Sequence, residues 1–361
     1  MKPIFTYFKN LCTSIKLLGN DKRLQGMMKA DMLLKSLIDD GKVPGLAITI
    51  LKDGKIVFQK GYGYANIEQK QRIDAQNSVF RIASVSKPIA ATALAIMVED
   101  GIIALDASLY DYVPYFPRKS HDFTIRQLAS HTAGIRGYRG KEYALNEPYS
   151  IKESLAIFKD DDLLFEPGTN FAYNSFDWVL VSLAMQEASG IPFEEYVKNK
   201  VLEPLGMERT TPEISGDTYP SSTTFYTKNK LGFRASIPVN NFYKLGGGGF
   251  LSTTGDIAKL GQAYLNNEIG DEAIISQFLT SVEIKGNATY YGLGWQVSFD
   301  KKGRPFYGHI GNGVGGYSNF FIYPEQQIVI AILINCTDPK VQDKLDEAVD
   351  MLLISLEENI V

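Results

Sequence analysis

Cysteine and histidine are scarce in this chain. Its 361 residues hold two cysteines, Cys12 and Cys336, and three histidines, His121, His131 and His309. The cysteines lie far apart and form no CxxC or CxxH spacing, and no histidine falls in an HExxH pattern, so neither a disulfide framework nor a metal site is expected. No cofactor is expected either. No apolar run approaches the ~20 residues of a membrane-spanning helix. The net charge of −4, with no basic stripe and no interleaved aromatics, lacks the electrostatic footprint of a nucleic-acid-binding protein. Residues 1–18 mix Phe5, Phe8, Leu11, Ile15 and Leu18 with Lys2, Lys9 and Lys16. Lys9 and Asn10 interrupt the apolar stretch that a secretory signal needs, and no small-residue cleavage site follows. A surface-docked helix and a cytoplasmic location are the expectation, with a periplasmic or other extracytoplasmic location and a membrane-peripheral one the alternatives.

What is present is ordinary globular material, 45% hydrophobic and 22% charged, enough for a large core in one or two domains. An amphipathic helix is predicted over 24–39. Segments 46–51 and 55–62 flank Asp53-Gly54, a strong hairpin signal. Segments 294–299, 317–323 and 327–335 read as strands near the other end, the last two joined by Pro324-Glu325-Gln326, and a closing helix is predicted over 341–356. Between these ends the periodicity is helical at 125–131, 176–189 and 254–265, broken by Pro and Gly loops. Strands, then helices, then strands imply an antiparallel sheet assembled from both ends of the chain around a mainly helical insert.

The tetrad Ser84-Val85-Ser86-Lys87 falls where the strand-like segment 78–83 gives way to the apolar helical run 88–97. On a helix, residues three apart share a face, so the Ser84 hydroxyl and the Lys87 amine can meet while Ser86 points elsewhere. Unpaired N–H groups at a helix start favour a developing alkoxide and disfavour a protonated lysine beside it, which suits a serine activated by a neutral lysine. A helix-capping serine followed by a solvated lysine is the competing reading. The same spacing recurs at Ser298 and Lys301, in a polar hairpin turn with no helix to align the pair, and is assigned to chance.

A Ser–Lys catalyst also needs a second proton-handling group and donors for an oxyanion. Phe165-Glu166-Pro167-Gly168 leads into Phe171-Ala172-Tyr173-Asn174-Ser175 just ahead of the helix 176–189. Tyr173 there is either a phenol held against the serine or an aromatic cap on the core. Gly308-His309-Ile310-Gly311-Asn312-Gly313 precedes the strand 317–323. Its small residues either let a strand edge approach a ligand or simply turn the chain.

Together these elements resemble the serine β-lactamase-like superfamily, in its class C β-lactamase, penicillin-binding esterase and D-aminopeptidase branch (peptidase family S12). That family places a Ser-x-x-Lys, a Tyr-x-Asn and a Lys/His-x-Gly motif in this order at about these separations. Residues 124–134, 165–168 and 247–256 also match, and the likeness runs from about 43 to 335. Phe158-Lys159-Asp160-Asp161 and Tyr173-Asn174-Ser175-Phe176 point to a group with a hydroxyl residue in place of the family asparagine, a group with a filament-forming member. The resemblance implies a β-lactamase/transpeptidase-like α+β fold. It implies an N-terminal extension over 1–23 and one hydrolase domain over 24–361, its sheet region 24–103 and 287–361 and its helical region 104–286. It implies Ser84 as nucleophile, Lys87 as base and Tyr173 as the group that passes a proton to the leaving group. Ser175, His309, Gly311 and Asn312 would lie at the substrate and oxyanion site, the backbone N–H groups of Ser84 and Asn312 holding the oxyanion and His309 standing where many members place a lysine that reads a substrate carboxylate. His131 would hold a loop, and His121 would lie at the surface. The expected function is hydrolysis of an amide or ester in a peptide or small-molecule substrate, without a cofactor. A true β-lactamase or D-Ala-D-Ala carboxypeptidase and a filament-forming protein that keeps the fold are the alternatives, and a homo-oligomer is possible under each. Loops 136–148 and 213–240 are expected to set specificity.

Overall fold

Both central residues of the Asp53-Gly54 turn have positive φ, +49° and +74°, the conformation that matches the twist of a two-residue hairpin. The turn joins strand β1 (Gly45–Lys52) to β2 (Lys55–Asn66), with Lys52 opposite Lys55. The structure is a computed structural model that describes residues 22–214, 219 and 221–357. The segment 1–18 singled out above, with Cys12, lies outside the described residues.

Five more strands complete a seven-stranded sheet: β3 (Gln71–Arg72), β4 (Gln296–Phe299), β5 (Pro305–Gly313), β6 (Gly316–Tyr323) and β7 (Ile328–Ile334), in the order β4-β5-β6-β7-β1-β2-β3. All neighbours are antiparallel, and Leu46 of β1 faces Ile334 of β7, so strands from both ends of the sequence meet at the sheet centre. Every residue of β6 and β7 is buried, the pattern of strands covered on both faces. Strand β5 carries Gly308, Gly311 and Gly313, which weaken the local strand signal and hid it as a strand in the sequence.

The inserted region is less helical than expected. Besides its helices it holds short strands at Thr211–Pro212, Tyr226–Asn229, Gly232–Ala235 and Phe250–Ser252. Strand character around 78–83 is confined to Phe80–Arg81, which pairs with Phe250–Ser252. Two helices pass through the core: one at Ser86–Glu99, largely buried, the other at Phe176–Ser189, buried from Phe176 to Met185. Small residues such as Ala90, Ala91, Ala93 and Ala95 let neighbours approach the first of them closely. The helix Thr254–Leu265 lies on the sheet, where a Cβ on Gly261 would come within 2.5 Å of Val329.

Residues Pro44–Asp338 form one compact unit, which contains the whole sheet. A second unit pairs the helix Lys22–Asp39 with the helix Gln342–Glu357. Ala30, Leu34 and Leu37 repeat along one face of the first, and Gly26 lets it approach Ser355 of the second.

Candidate active site

Ala83, at φ +46°, turns the chain out of the short strand Phe80–Arg81. Ser84 therefore sits in a 3-10 turn, Ala83–Val85, and Lys87 follows in the first turn of the helix that starts at Ser86. This arrangement brings the two side chains together: Lys87 Nζ donates to Ser84 Oγ at 3.3 Å. The Tyr173 hydroxyl donates to the same Ser84 Oγ at 2.8 Å. The ammonium end of Lys87 lies 4.8 Å from the Tyr173 ring centroid and donates to Gly247 O at 2.8 Å. Glycines bring that carbonyl in, since a Cβ on Gly246 would meet Ser182 Oγ at 2.3 Å.

Lys87 has no solvent exposure. Burial lowers its pKa to about 7; Asp177 pulls it back up, and Lys244 lowers it further. Tyr173 moves the other way. Burial raises its pKa, against the hydrogen bond to Ser84, although 43% of the residue is exposed. Near neutral pH the phenol is therefore a proton donor, and Lys87 is the group able to accept a proton from Ser84.

Behind Tyr173 lies a cluster of rings. His131 packs at a tilt against Tyr173 and Tyr291, its ring centroid 4.6 Å and 4.9 Å from theirs. His131 Nδ1 lies 2.8 Å from Asp177 Oδ2, which also accepts from Asn174 Nδ2 at 2.6 Å. Burial drives the pKa of His131 downward and that of Asp177 upward, the latter against the hydrogen bond from Asn174. The His131 carbonyl accepts from Ala172 N at 2.9 Å, tying its loop to the segment that carries Tyr173. His121 is about half-exposed, 4.0 Å from Glu166.

His309 is placed differently from the expectation. It is 1% exposed, its Nδ1 donates to Ile310 O at 2.7 Å and its Nε2 accepts from Tyr291 Oη at 3.0 Å. Burial, aided by Lys87, holds its pKa down at about 3. An imidazole that is neutral, enclosed and engaged at both nitrogens does not read a substrate carboxylate, and that expectation is corrected. Side chains alternate along a strand, so His309 shares a face with Gly311. A Cβ on Gly311 would lie 2.3 Å from Ser318 Oγ, 2.5 Å from Ile82 O and 3.0 Å from Ser84 N. The bare backbone at 311 thus lets β5 run against the turn that carries Ser84.

A cleft of about 80 Å³ opens beside the nucleophile, lined by Ser84, Tyr138, Ser175, Lys244, Gly247 and Asn312 among others. Ser175 and Asn312 therefore join Ser84 at one cleft. The Asn312 side chain also accepts from Asp338 N at 3.2 Å. Two larger cavities, of about 580 and 630 Å³, lie elsewhere and contain none of these groups; chemistry rather than size marks the site. Ser298 lies on β4, with Lys301 in the turn beyond it, so no helix aligns that pair.

Several residues at the site escaped sequence reasoning. Arg81 pairs with Glu213 at 2.6 Å and donates to Val314 O at 2.8 Å, while Glu213 also accepts from Asn241. Tyr291 supports His309, and Lys244 enters the cleft. Tyr138 and Tyr143, in the loop 136–148, and Glu213, at the start of the loop 213–240, carried a signal through those loops alone.

A serine flanked by a buried lysine and a tyrosine on this fold defines a serine hydrolase. The pattern of the Beta-lactamase family matches residues 22–353, and the chain belongs to that family. It is 28% identical over 391 residues to the mitochondrial serine beta-lactamase-like protein LACTB of Homo sapiens, across 81% of this chain and 71% of that protein. The octameric penicillin-binding protein homologue from Pyrococcus abyssi superposes with a TM-score of 0.79 at 27% identity, over 90% of this chain and 77% of that one. The D-amino acid amidase from Ochrobactrum anthropi shares the fold, with a TM-score of 0.80 at 19% identity over 90% of this chain and 98% of that one. The fold is thus the β-lactamase/transpeptidase type. Among the described residues no helix is long and apolar enough to cross a membrane.

Proposed function

We propose that the protein is an S12-type peptidase or esterase that cleaves an amide or ester bond through an acyl-enzyme on Ser84. The observation that carries this reading is the double contact on Ser84 Oγ, from a lysine whose pKa falls to about 7 and from a tyrosine whose pKa is raised. Neutral Lys87 takes the Ser84 proton as Oγ bonds to the substrate carbonyl carbon. The carbonyl oxygen becomes an oxyanion, received by the backbone N–H groups of Ser84 and Asn312. As the tetrahedral species collapses, the bond to the leaving group breaks. Tyr173 delivers its proton to that group and recovers one from the Lys87 ammonium. Water then attacks the ester on Ser84 with the same groups, releasing the acid and restoring the hydroxyl.

Support also comes from the neighbours, one described as an amidase and another as EstCE1, a hydrolase with promiscuous acyltransferase activity. The test is turnover of a p-nitrophenyl ester, a peptide amide and nitrocefin by the wild type and by Ser84→Ala. Ester or amide turnover that vanishes in the variant is expected. Nitrocefin as the fastest substrate would turn the reading to a β-lactamase, and no turnover of any of the three would reject it. The octameric homologue favours a homo-oligomer as well, which light scattering on the purified chain tests: a monomer mass at micromolar concentration would reject it.

A further inference from the structure

Tyr173 is an exposed residue, and among the described residues the one hydrogen bond of its side chain is to Ser84 Oγ. A ring open to solvent with a single polar contact needs other neighbours to keep it on the serine. His131 and Asp177 hold it from three directions. The His131 ring packs against the Tyr173 ring. Before Tyr173 in the chain, Ala172 N donates to the His131 carbonyl. After it, Asn174 Nδ2 donates to Asp177 Oδ2, and Asp177 N donates to Asn174 Oδ1 at 2.8 Å. Asn174 Nδ2 also donates to Ala172 O at 3.0 Å, joining the residues on either side of Tyr173 to each other. The contact between His131 Nδ1 and Asp177 Oδ2 closes this frame, and the buried first turn of the helix Phe176–Ser189, which carries Asp177, anchors it in the core.

The frame is costly to keep. His131 has φ +61°, in the left-handed region that side chains disfavour. Neither His131 nor Asp177 has any solvent exposure, and His131 Nε2 and Asp177 Oδ1 are buried with no protein partner among the described residues. Apolar side chains would fill the same space without burying incompletely paired polar atoms, so packing alone does not account for the pair. Strain of this kind persists where a site depends on it. We propose that His131 and Asp177 are positioning residues for proton delivery: they hold the Tyr173 hydroxyl where it meets the leaving group, and neither takes a proton itself. This rests on the acyl-enzyme reading, in which Tyr173 is the donor, and deepens it. A displaced phenol slows the release of a strongly basic leaving group, which needs the proton, and spares one that departs as a stable anion.

The test uses two esters with the same acyl group, 4-nitrobenzyl butyrate, whose leaving group is an alkoxide, and p-nitrophenyl butyrate, whose leaving group is a stable phenolate. Asp177→Ala should lower kcat/KM by about 10–100-fold on the first and by less than about threefold on the second. Asp177→Asn, which can place its carbonyl oxygen where Oδ2 meets Asn174 and His131 but carries no titrating group, should keep most of the wild-type rate on both. Added to Tyr173→Phe, Asp177→Ala should cost less than about threefold on the 4-nitrobenzyl ester, because no phenol is left to position. Equal losses on the two esters, an undiminished loss in the Tyr173→Phe background, an Asp177→Asn as slow as Asp177→Ala, or a wild type that turns over only the p-nitrophenyl ester would each overturn the proposal. If Asp177→Ala does not fold, Asp177→Ser carries the same comparisons. A fluorophosphonate separates this proposal from the reading beneath it. Fluoride leaves without a proton, so Ser84 in Asp177→Ala should be labelled about as fast as in the wild type. If the wild type is labelled at Ser84 but the two esters respond alike, the positioning proposal fails alone; if Ser84 is not labelled, both fail.

Discussion

Acylation should follow the ionisation of Lys87, whose pKa of about 7 places the rise in rate within an accessible pH range. With that value the amine is about half neutral at pH 7, about 90% neutral at pH 8 and about 10% at pH 6; an unshifted lysine near ~10.4 would be less than about 1% neutral at pH 8. Burial thus multiplies the supply of base at pH 8 by a factor on the order of 100. The sign is definite: the free amine is the active form, so kcat/KM falls tenfold per pH unit below the midpoint and levels off above it. The measurement is kcat/KM for a neutral ester such as p-nitrophenyl butyrate from pH 5.5 to 9.5. A single rising limb with its midpoint between about 6 and 8 is expected. A midpoint above about 9, or a rate independent of pH over this range, would refute the neutral-lysine argument.

Three further outcomes follow from the same contacts. The folded chain holds Lys87 below its unfolded value of 10.5, so burial of this side chain destabilises the fold fully below about pH 7 and ceases to do so above about pH 10.5, a penalty of several kcal/mol at ~1.36 kcal/mol per pH unit. Lys87→Met should accordingly be inactive yet more stable than wild type by about 1–3 kcal/mol at pH 7 after the lost hydrogen bonds are counted, and urea melts at pH 7 and 10 should show the gain shrinking at the higher pH. Tyr173→Phe should lower kcat/KM by about 10²–10⁴-fold with an unchanged melting temperature; a loss under tenfold would remove the phenol from proton transfer. Gly311→Ala, which drives a Cβ onto Ser318 Oγ and Ile82 O, should cost about 1–3 kcal/mol of stability and more than tenfold in labelling rate at Ser84, and a variant that melts and labels like wild type would contradict the close approach of β5.

Much of this organisation was legible because it is local. Asp53-Gly54 announced its hairpin, and the helices Phe176–Ser189 and Thr254–Leu265 announced their ends. The placing of Ser84 and Lys87 at a strand-to-helix turn needed only adjacent residues. Tyr173 depended on the family likeness, since nothing in its own neighbourhood says that it reaches a serine 89 positions away. Long-range partners left no local trace: Lys87 meets Gly247 across 160 positions and Arg81 meets Glu213 across 132. Lys244 reads in sequence as one more lysine before a glycine run. His309 misled because a motif position gives no side-chain direction. Strand alternation with Gly311 would have turned it inward, but β5 first had to be read as a strand.

The most direct test of the central claim is intact-mass and peptide mapping after exposure to a fluorophosphonate at pH 8. The arrangement of Lys87 and Tyr173 around Ser84 Oγ predicts one adduct per chain, located on Ser84, absent in Ser84→Ala and unaffected in Ser298→Ala. An adduct that persists in Ser84→Ala, or a wild-type chain that takes no label at all, would contradict the account.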